Sequence, residues 1–61
     1  MIIKYIHWSE PEKEKTHDTV KVLKNNLFIT KSQEEFDAFT LEHFIKDKER
    51  GIVLSYEIIE K

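Results

Sequence analysis

The sequence predicts a single small α+β domain, residues 1–61, with one helix packed on one face of a three- or four-stranded, mainly antiparallel sheet. The predicted order is β-β-β-α-β. Three observations predict it: a helix with marked ends lies near the middle, strand-like segments lie before and after it, and 61 residues allow only one domain with one core. A helix on a sheet is the simplest two-layer arrangement that buries both apolar faces.

The first predicted strand runs from Ile2 to Trp8 and is rich in β-branched and aromatic residues. Apolar side chains fall on both of its faces, which favours a central strand covered on two sides or a strand at an interface. The following stretch, Ser9 to Asp18, holds the only proline and alternates Glu with Lys. That composition predicts an exposed, mobile loop.

The segment from Thr19 to Thr30 predicts a β-hairpin. Two short apolar runs, Val20–Leu23 and Leu27–Ile29, flank the pair Asn25-Asn26, and asparagine tolerates the positive φ of a tight turn. An alternative is one strand with a bulge or bend at the two asparagines.

A helix is predicted from about Gln33 to Arg50. Ser32 and Glu35 form a capping-box pattern at its start, acidic residues fill its first turn and basic residues its last, and Gly51 follows as the natural terminating residue. The chain then enters a last predicted strand, Ile52 to Ile59, whose alternate residues form an apolar face.

Composition argues against most catalytic and cofactor chemistry. The chain has no Cys, one Gly, one Pro and one Arg, so it has no thiolate metal cluster, glycine-rich phosphate loop or nucleophile elbow. We therefore expect a non-enzymatic protein without a cofactor. No apolar run is long enough for a membrane span, and the absence of Cys fits the cytoplasm. The Lys- and Ile-rich, Arg-poor composition predicts a low-GC bacterium or one of its phages or prophages as the source.

The predicted helix has more apolar surface than one small sheet can cover. Placed on a wheel at about 100° per residue, its apolar residues occupy most of the circumference. A domain of this size also gains stability from oligomerisation, so we expect a homodimer, with a host or phage protein as another partner. The alternative is a helix bent near Thr40 that wraps its own sheet. The candidate interface residues are Trp8, Phe39, Leu41, His43 and Ile45.

Weak, nonspecific nucleic-acid binding is the alternative function. Residues 19–31 contain three lysines and no acidic residue, with an aromatic side chain among them. Basic groups interleaved with an aromatic residue on a β-ribbon can follow a phosphate backbone and stack on a base. The candidate residues are Lys21, Lys24, Asn25, Phe28 and Lys31.

The three histidines do not predict a metal site. His7, His17 and His43 lie on separate predicted elements, and no pair has the spacing of ligands on one helix turn. A hydrolase would need a nucleophile and a base in a pocket that excludes water, and Ser55 near Glu57 on a solvated strand is a poor candidate. We therefore expect neither a metal nor a catalytic site.

Overall fold

The central strand of the fold is β1 (Ile2–His7), in a computed structural model that describes all 61 residues. It pairs antiparallel with β2 (Glu14–Asp18) on one side and β3 (Val53–Glu60) on the other. This confirms the α+β class, the antiparallel sheet and the first and last predicted strands. The sheet has three strands, so the four-stranded option does not apply.

Residues 14–18, predicted as part of a loop, form the edge strand β2. The register pairs Ile6 with Glu14 and Ile2 with Asp18, and the Lys4 ammonium lies 3.2 Å from a Glu14 carboxylate oxygen. The prediction was wrong because a charged edge strand lacks the alternation of a half-buried strand. Hydrogen bonds to the backbone of β1 hold β2 in its extended conformation. Its charged side chains discourage pairing of the open edge with another chain.

The predicted hairpin over residues 19–30 is also wrong, because Thr19–Asn25 form a short helix, α1. The Asp18 carboxylate caps it, accepting hydrogen bonds from the backbone N–H groups of Val20 at 3.1 Å and Lys21 at 3.2 Å. The element order is therefore β-β-α-α-β, and the fold has two helices where the sequence predicted one.

The second helix, α2 (Gln33–Glu49), confirms the predicted helix and its capping box. The Glu35 amide donates to the Ser32 hydroxyl, and the Ser32 amide donates to the Glu35 carboxylate, both at 3.2 Å. At the other end Gly51 has a φ of 77°, and Ile52 N–H donates back to the Asp47 carbonyl at 2.9 Å. The Gly51 amide also donates to the Lys48 carbonyl at 3.2 Å, and the two bonds form a Schellman ending. The helix is continuous through Thr40.

One aromatic ring, Phe44, connects α2 to all three strands. Its centroid lies 5.0 Å from Tyr5 on β1, 6.0 Å from His17 on β2 and 5.8 Å from Tyr56 on β3. The first two contacts are edge-to-face, a favourable geometry for ring pairs. Phe44 therefore fixes the position of the helix over the sheet.

A polar cluster joins the two helices. The Thr19 hydroxyl donates to the Asp37 carboxylate at 2.5 Å, and the Gln33 side-chain amide donates to the same oxygen at 2.8 Å. The Thr19 backbone amide donates to the Met1 carbonyl at 2.9 Å, so α1 is also tied to the start of β1. Thr19 is fully buried. This cluster ties the start of α1 to the first turns of α2.

The buried core is very small. Only Ile3, Phe36 and Val53 are buried apolar residues, with two threonines beside them. The accessible surface is 4759 Å², whereas a folded monomer of this mass is expected to expose about 4,200 Å². The chain therefore exposes about 550 Å² more than an average monomer.

Candidate protein interface

A shallow apolar groove of about 280 Å³ runs along one side of α2, next to β2. Five residues of its lining lie on successive turns of α2 at helical i, i+3 and i, i+4 spacing, which brings them onto one stripe. β2 contributes one imidazole. The lining residues are His17, Phe36, Phe39, Thr40, His43 and Phe44.

The floor and the rim of the groove differ in burial. Phe36 and Thr40 are buried and form part of the core, whereas Phe39 remains 44% exposed. Phe39 packs edge-to-face against His43, with ring centroids 4.6 Å apart. The groove therefore has a fixed floor and an aromatic rim that solvent reaches.

The end of the loop of residues 26–32 contacts the rim of this groove. The Lys31 ammonium sits 5.2 Å from the centroid of the Phe39 ring, a cation–π contact. Three residues earlier, Phe28 is 95% exposed, and Leu27 is 92% exposed. Three residues span at most about 11 Å, so the Phe28 backbone lies within that distance of the Lys31 backbone. We call the groove together with Leu27 and Phe28 the helix–loop surface.

A turn at Asn26 holds the exposed pair outward. The Asn26 side-chain oxygen accepts a hydrogen bond from the Phe28 amide at 3.2 Å, and the Asn26 carbonyl accepts from the Ile29 amide at 3.3 Å. Side-chain bonds of this kind replace helix or sheet ladders in turns. The local sequence thus presents two large apolar side chains to solvent.

The structure brings together only part of the predicted interface set. Phe39 and His43 lie in the groove, whereas Leu41 and Ile45 lie about 200° further round α2, on another flank. Trp8 does not line the groove. It follows β1, five residues beyond the Ile3–His17 pair, and its amide donates to the Ile52 carbonyl.

The residues predicted to bind nucleic acid are redistributed by the correction of the hairpin. Lys21, Lys24 and Asn25 lie on α1, while Phe28 and Lys31 lie in the loop. Both lysines of α1 are exposed, but the Lys31 ammonium is directed to Phe39. The β-ribbon that was to present them does not exist.

The ionisable groups around the helix–loop surface form ordinary surface pairs. Glu42, beside His43, has its pKa lowered by a hydrogen bond from Lys46, whose ammonium is 3.0 Å away. Glu35 has its pKa lowered by the hydrogen bonds it makes with Ser32. Both carboxylates are exposed and flank the groove.

No group of three or more His, Cys, Asp or Glu side chains is placed to hold a metal ion. Away from the groove, the Ser9 hydroxyl lies 2.7 Å from His7 Nδ1, and the Ser9 amide donates to the same nitrogen. Both bonds are local, spanning two residues, and they stabilise the turn after β1. Of the two helices, neither has the length and apolarity needed to cross a membrane.

Comparisons with protein-family models, with curated proteins and with solved structures found no match.

Sequence reasoning missed Leu27, Phe28 and His17 as members of this surface. The first two were placed in a hairpin strand, where alternate side chains would be covered. A signal was present: Asp18 precedes Thr19, Val22 and Leu23, which have the i, i+3, i+4 spacing of a buried helix stripe. Ending that helix near Asn25 would have left the Leu-Phe pair in a loop.

Proposed function

We propose that this protein is a non-enzymatic protein-binding module that self-associates as a homodimer through the helix–loop surface. The observation that carries the proposal is the exposure of Leu27 and Phe28 in the loop whose Lys31 contacts Phe39, at the rim of an apolar groove. Aromatic side chains are enriched at the cores of protein interfaces. The predicted cytoplasmic setting and phage or prophage origin are part of the same proposal.

The size of the core supports self-association. A standard interface covers about 800 Å² of each partner, and the surplus accessible surface of this chain is about 550 Å². With three buried apolar residues, the monomer has little hydrophobic stabilisation of its own. Association on the helix–loop surface would extend the core that Phe36 and Thr40 begin.

The test is molar mass in solution, measured by size exclusion with light scattering over a range of protein concentrations. We expect a wild-type dimer at micromolar concentration. Phe28→Ser should weaken it about a thousandfold, because a central aromatic contact contributes about 2 kcal/mol and a two-fold dimer contains two copies. The far-ultraviolet circular dichroism should not change, since Phe28 makes almost no contact within its own chain.

Trp8→Ser is the matched control, because Trp8 is also an exposed aromatic residue but lies outside the helix–loop surface. It should leave the dimer intact. A wild-type monomer at every concentration would refute self-association, and a dimer lost with Trp8→Ser but kept with Phe28→Ser would place the interface elsewhere. If the wild type is a monomer, the partner to test next is a host or phage protein.

We propose nonspecific nucleic-acid binding as the second candidate. One observation favours it: Phe28 is free to stack on a base, and the short helix before it carries exposed Lys21 and Lys24 without any acidic residue. Fluorescence anisotropy with single-stranded DNA at low salt should then show an affinity that Lys21→Glu with Lys24→Glu abolishes. No binding by the wild type at low salt would remove this candidate.

A further inference from the structure

We infer that the open edge of β3 is a docking site for an extended peptide in which apolar and basic residues alternate. The strand order β2-β1-β3 pairs β3 on one side only, and its eight residues take part in no backbone hydrogen bond outside the ladder with β1. Its outward N–H and C=O groups can therefore pair with a further strand. The groove of the helix–loop surface takes one residue from β2 and none from β3, so this site does not depend on the proposed homodimer.

The two edges of the sheet are protected to different degrees. β2 is short and charged, and Glu14 and Lys15 are both engaged in ion pairs, one with Lys4 and the other with Glu10. β3 is longer, contains neither lysine nor proline, and leaves two aliphatic side chains half-exposed, Leu54 and Ile59. Lysine, proline and short length are the features that keep an edge strand from pairing. β3 is therefore the edge that can accept a further strand.

The face of β3 toward α2 favours apolar residues in the added strand. The Tyr56 ring lies 5.8 Å from the ring of Phe44 on α2, and the Lys48 ammonium lies 5.8 Å from the Tyr56 centroid. Ile58 shares this face and is partly buried. A basic residue beside Tyr56 would meet the Lys48 ammonium, whereas an apolar residue would extend the cover of Tyr56 and Ile58.

The opposite face of β3 carries two carboxylates without an ionic partner. Glu57 lies opposite Lys4 and Glu60 opposite Ile2, two residues of β1 that share the face away from α2. The Lys4 ammonium lies 3.2 Å from a Glu14 carboxylate oxygen, and no ion pair involves Glu57 or Glu60. A shallow depression of about 260 Å³ beside Glu57 leaves room for a long side chain. A lysine or arginine on this face of the added strand would form favourable cross-strand pairs.

Two irregularities limit the length of the added strand. The register with β1 shifts on either side of the segment Ser55–Ile58, which leaves Leu54 and Ile59 as extra residues. Shifts of this kind are typical of β-bulges, which bend a strand and interrupt a ladder. Regular pairing is therefore confined to Ser55–Ile58 and its immediate neighbours, and the bound segment is short.

Charge selects a basic peptide over a second copy of β3. The strand has two glutamates and no basic residue, so pairing two copies would bring four carboxylates to one seam without a counter-charge. Like charges on neighbouring strands are destabilising, and opposite charges are stabilising.

The test is an NMR titration of the labelled protein with the peptide Thr-Lys-Val-Lys-Val-Lys-Thr, blocked at both ends. Alternate amides of Ser55–Ile58 point away from β1, and they should become protected from hydrogen exchange as they donate to peptide carbonyls. The same peptide with glutamate in place of lysine should bind at least about tenfold more weakly, because its charges meet Glu57 and Glu60.

Glu57→Gln with Glu60→Gln should weaken binding of the lysine peptide about fivefold, since two cross-strand charge pairs are lost. Glu12→Gln with Glu34→Gln is the matched control: it changes the net charge equally, and both residues are exposed and lie outside β3. It should bind like the wild type.

Three results would overturn the inference. One is the absence of new protection within Ser55–Ile58 at about 1 mM lysine peptide. Another is equal binding of the lysine and glutamate peptides. The third is equal weakening by the two double variants, which would show attraction to the net charge of the protein and not to the edge of β3.

Discussion

The two helices of this protein are specified in different ways. Both ends of α2 are fixed by its own neighbours in sequence: Ser32 and Glu35 close one end, and Gly51 closes the other. The seven-residue α1 has a cap at its start, Asp18, but it ends at Asn26 in an extended conformation with φ −123°. It depends on bonds from Thr19 to residues 18 positions away in either direction.

This difference has a physical origin. Helices shorter than about 12 residues are marginal in water, because nucleation fixes several dihedral angles for one hydrogen bond. The longer α2 offsets that cost with 17 residues and two capped ends, whereas α1 needs tertiary contacts. The two helices also contribute differently to the proposed interface, since α2 supplies most of the groove and α1 leads into the loop that presents Phe28.

The largest effect on α1 should come from Asp37→Asn. The Asp37 carboxylate accepts from Thr19 and Gln33, and hydrogen bonds to a charged acceptor contribute more than neutral ones, so we expect a loss of about 1–3 kcal/mol at pH 7. Urea denaturation measures it. A double-mutant cycle with Thr19→Val should show coupling between the two sites. Additive losses would mean that the two side chains do not act together.

The same variant has a predicted pH dependence. Burial acts to raise the pKa of Asp37, but the hydrogen bonds from Thr19 and Gln33 outweigh it and hold that pKa below its ordinary value of 3.8. A carboxyl group with a lowered folded-state pKa stabilises the fold above its unfolded-state pKa, and the contribution is lost as pH falls through the folded-state value. The stability difference between wild type and Asp37→Asn should therefore shrink below about pH 4. A difference that stays constant down to pH 2.5 would contradict this assignment.

Removing the N-cap of each helix should reveal a difference in the local stability of α1 and α2. Asp18→Ala and Ser32→Ala should each cost about 1 kcal/mol in global stability. Their local effects should differ, because α1 has only seven residues to lose. We expect Asp18→Ala to abolish hydrogen-exchange protection throughout α1, whereas Ser32→Ala should expose only the first turn of α2. Equal hydrogen-exchange protection of both helices in both variants would contradict the claim that α1 depends more on its cap than α2 does.

The elements that neighbouring residues specify were predictable from the sequence, and those that depend on tertiary contacts were not. The helix α2, with its cap residues and Gly51, was predicted closely because its determinants are local. The strand β2 was missed because its residues are charged and its order depends on pairing with Ile2–Ile6. Helix α1 was missed because Val20 and Val22 favour strands, and the contact of Thr19 with Asp37 is not visible along the chain.

The candidate site was only partly predictable for a related reason. On a helical wheel the apolar residues of α2 are spread around most of the circumference among charged ones, so the wheel does not say which flank the sheet covers. The structure does: Phe36 and Thr40 are buried, Phe39 and His43 line an open groove, and Leu41 lies on the side of Gln33 and Asp37. Leu27 and Phe28 entered the site only because α1 replaced the hairpin.

The last predictions concern how the two helices end. Gly51 has a positive φ, and a Cβ atom built there meets nothing within 4 Å, so Gly51→Ala tests backbone conformation alone. It should cost about 1 kcal/mol, and Gly51→Asn should cost less, because asparagine visits the left-handed region more readily. Asn26→Ala, at the end of α1, removes the hydrogen bond from the Phe28 amide to the Asn26 side chain and should cost about 0.5–1 kcal/mol. Backbone conformation adds nothing to this cost, because any residue can adopt the φ of −123° found at Asn26. Urea denaturation measures the free energy of unfolding of the three variants. If Gly51→Ala and Gly51→Asn cost the same, side-chain tolerance of positive φ does not set the end of α2, and the ending must depend on the packing of β3.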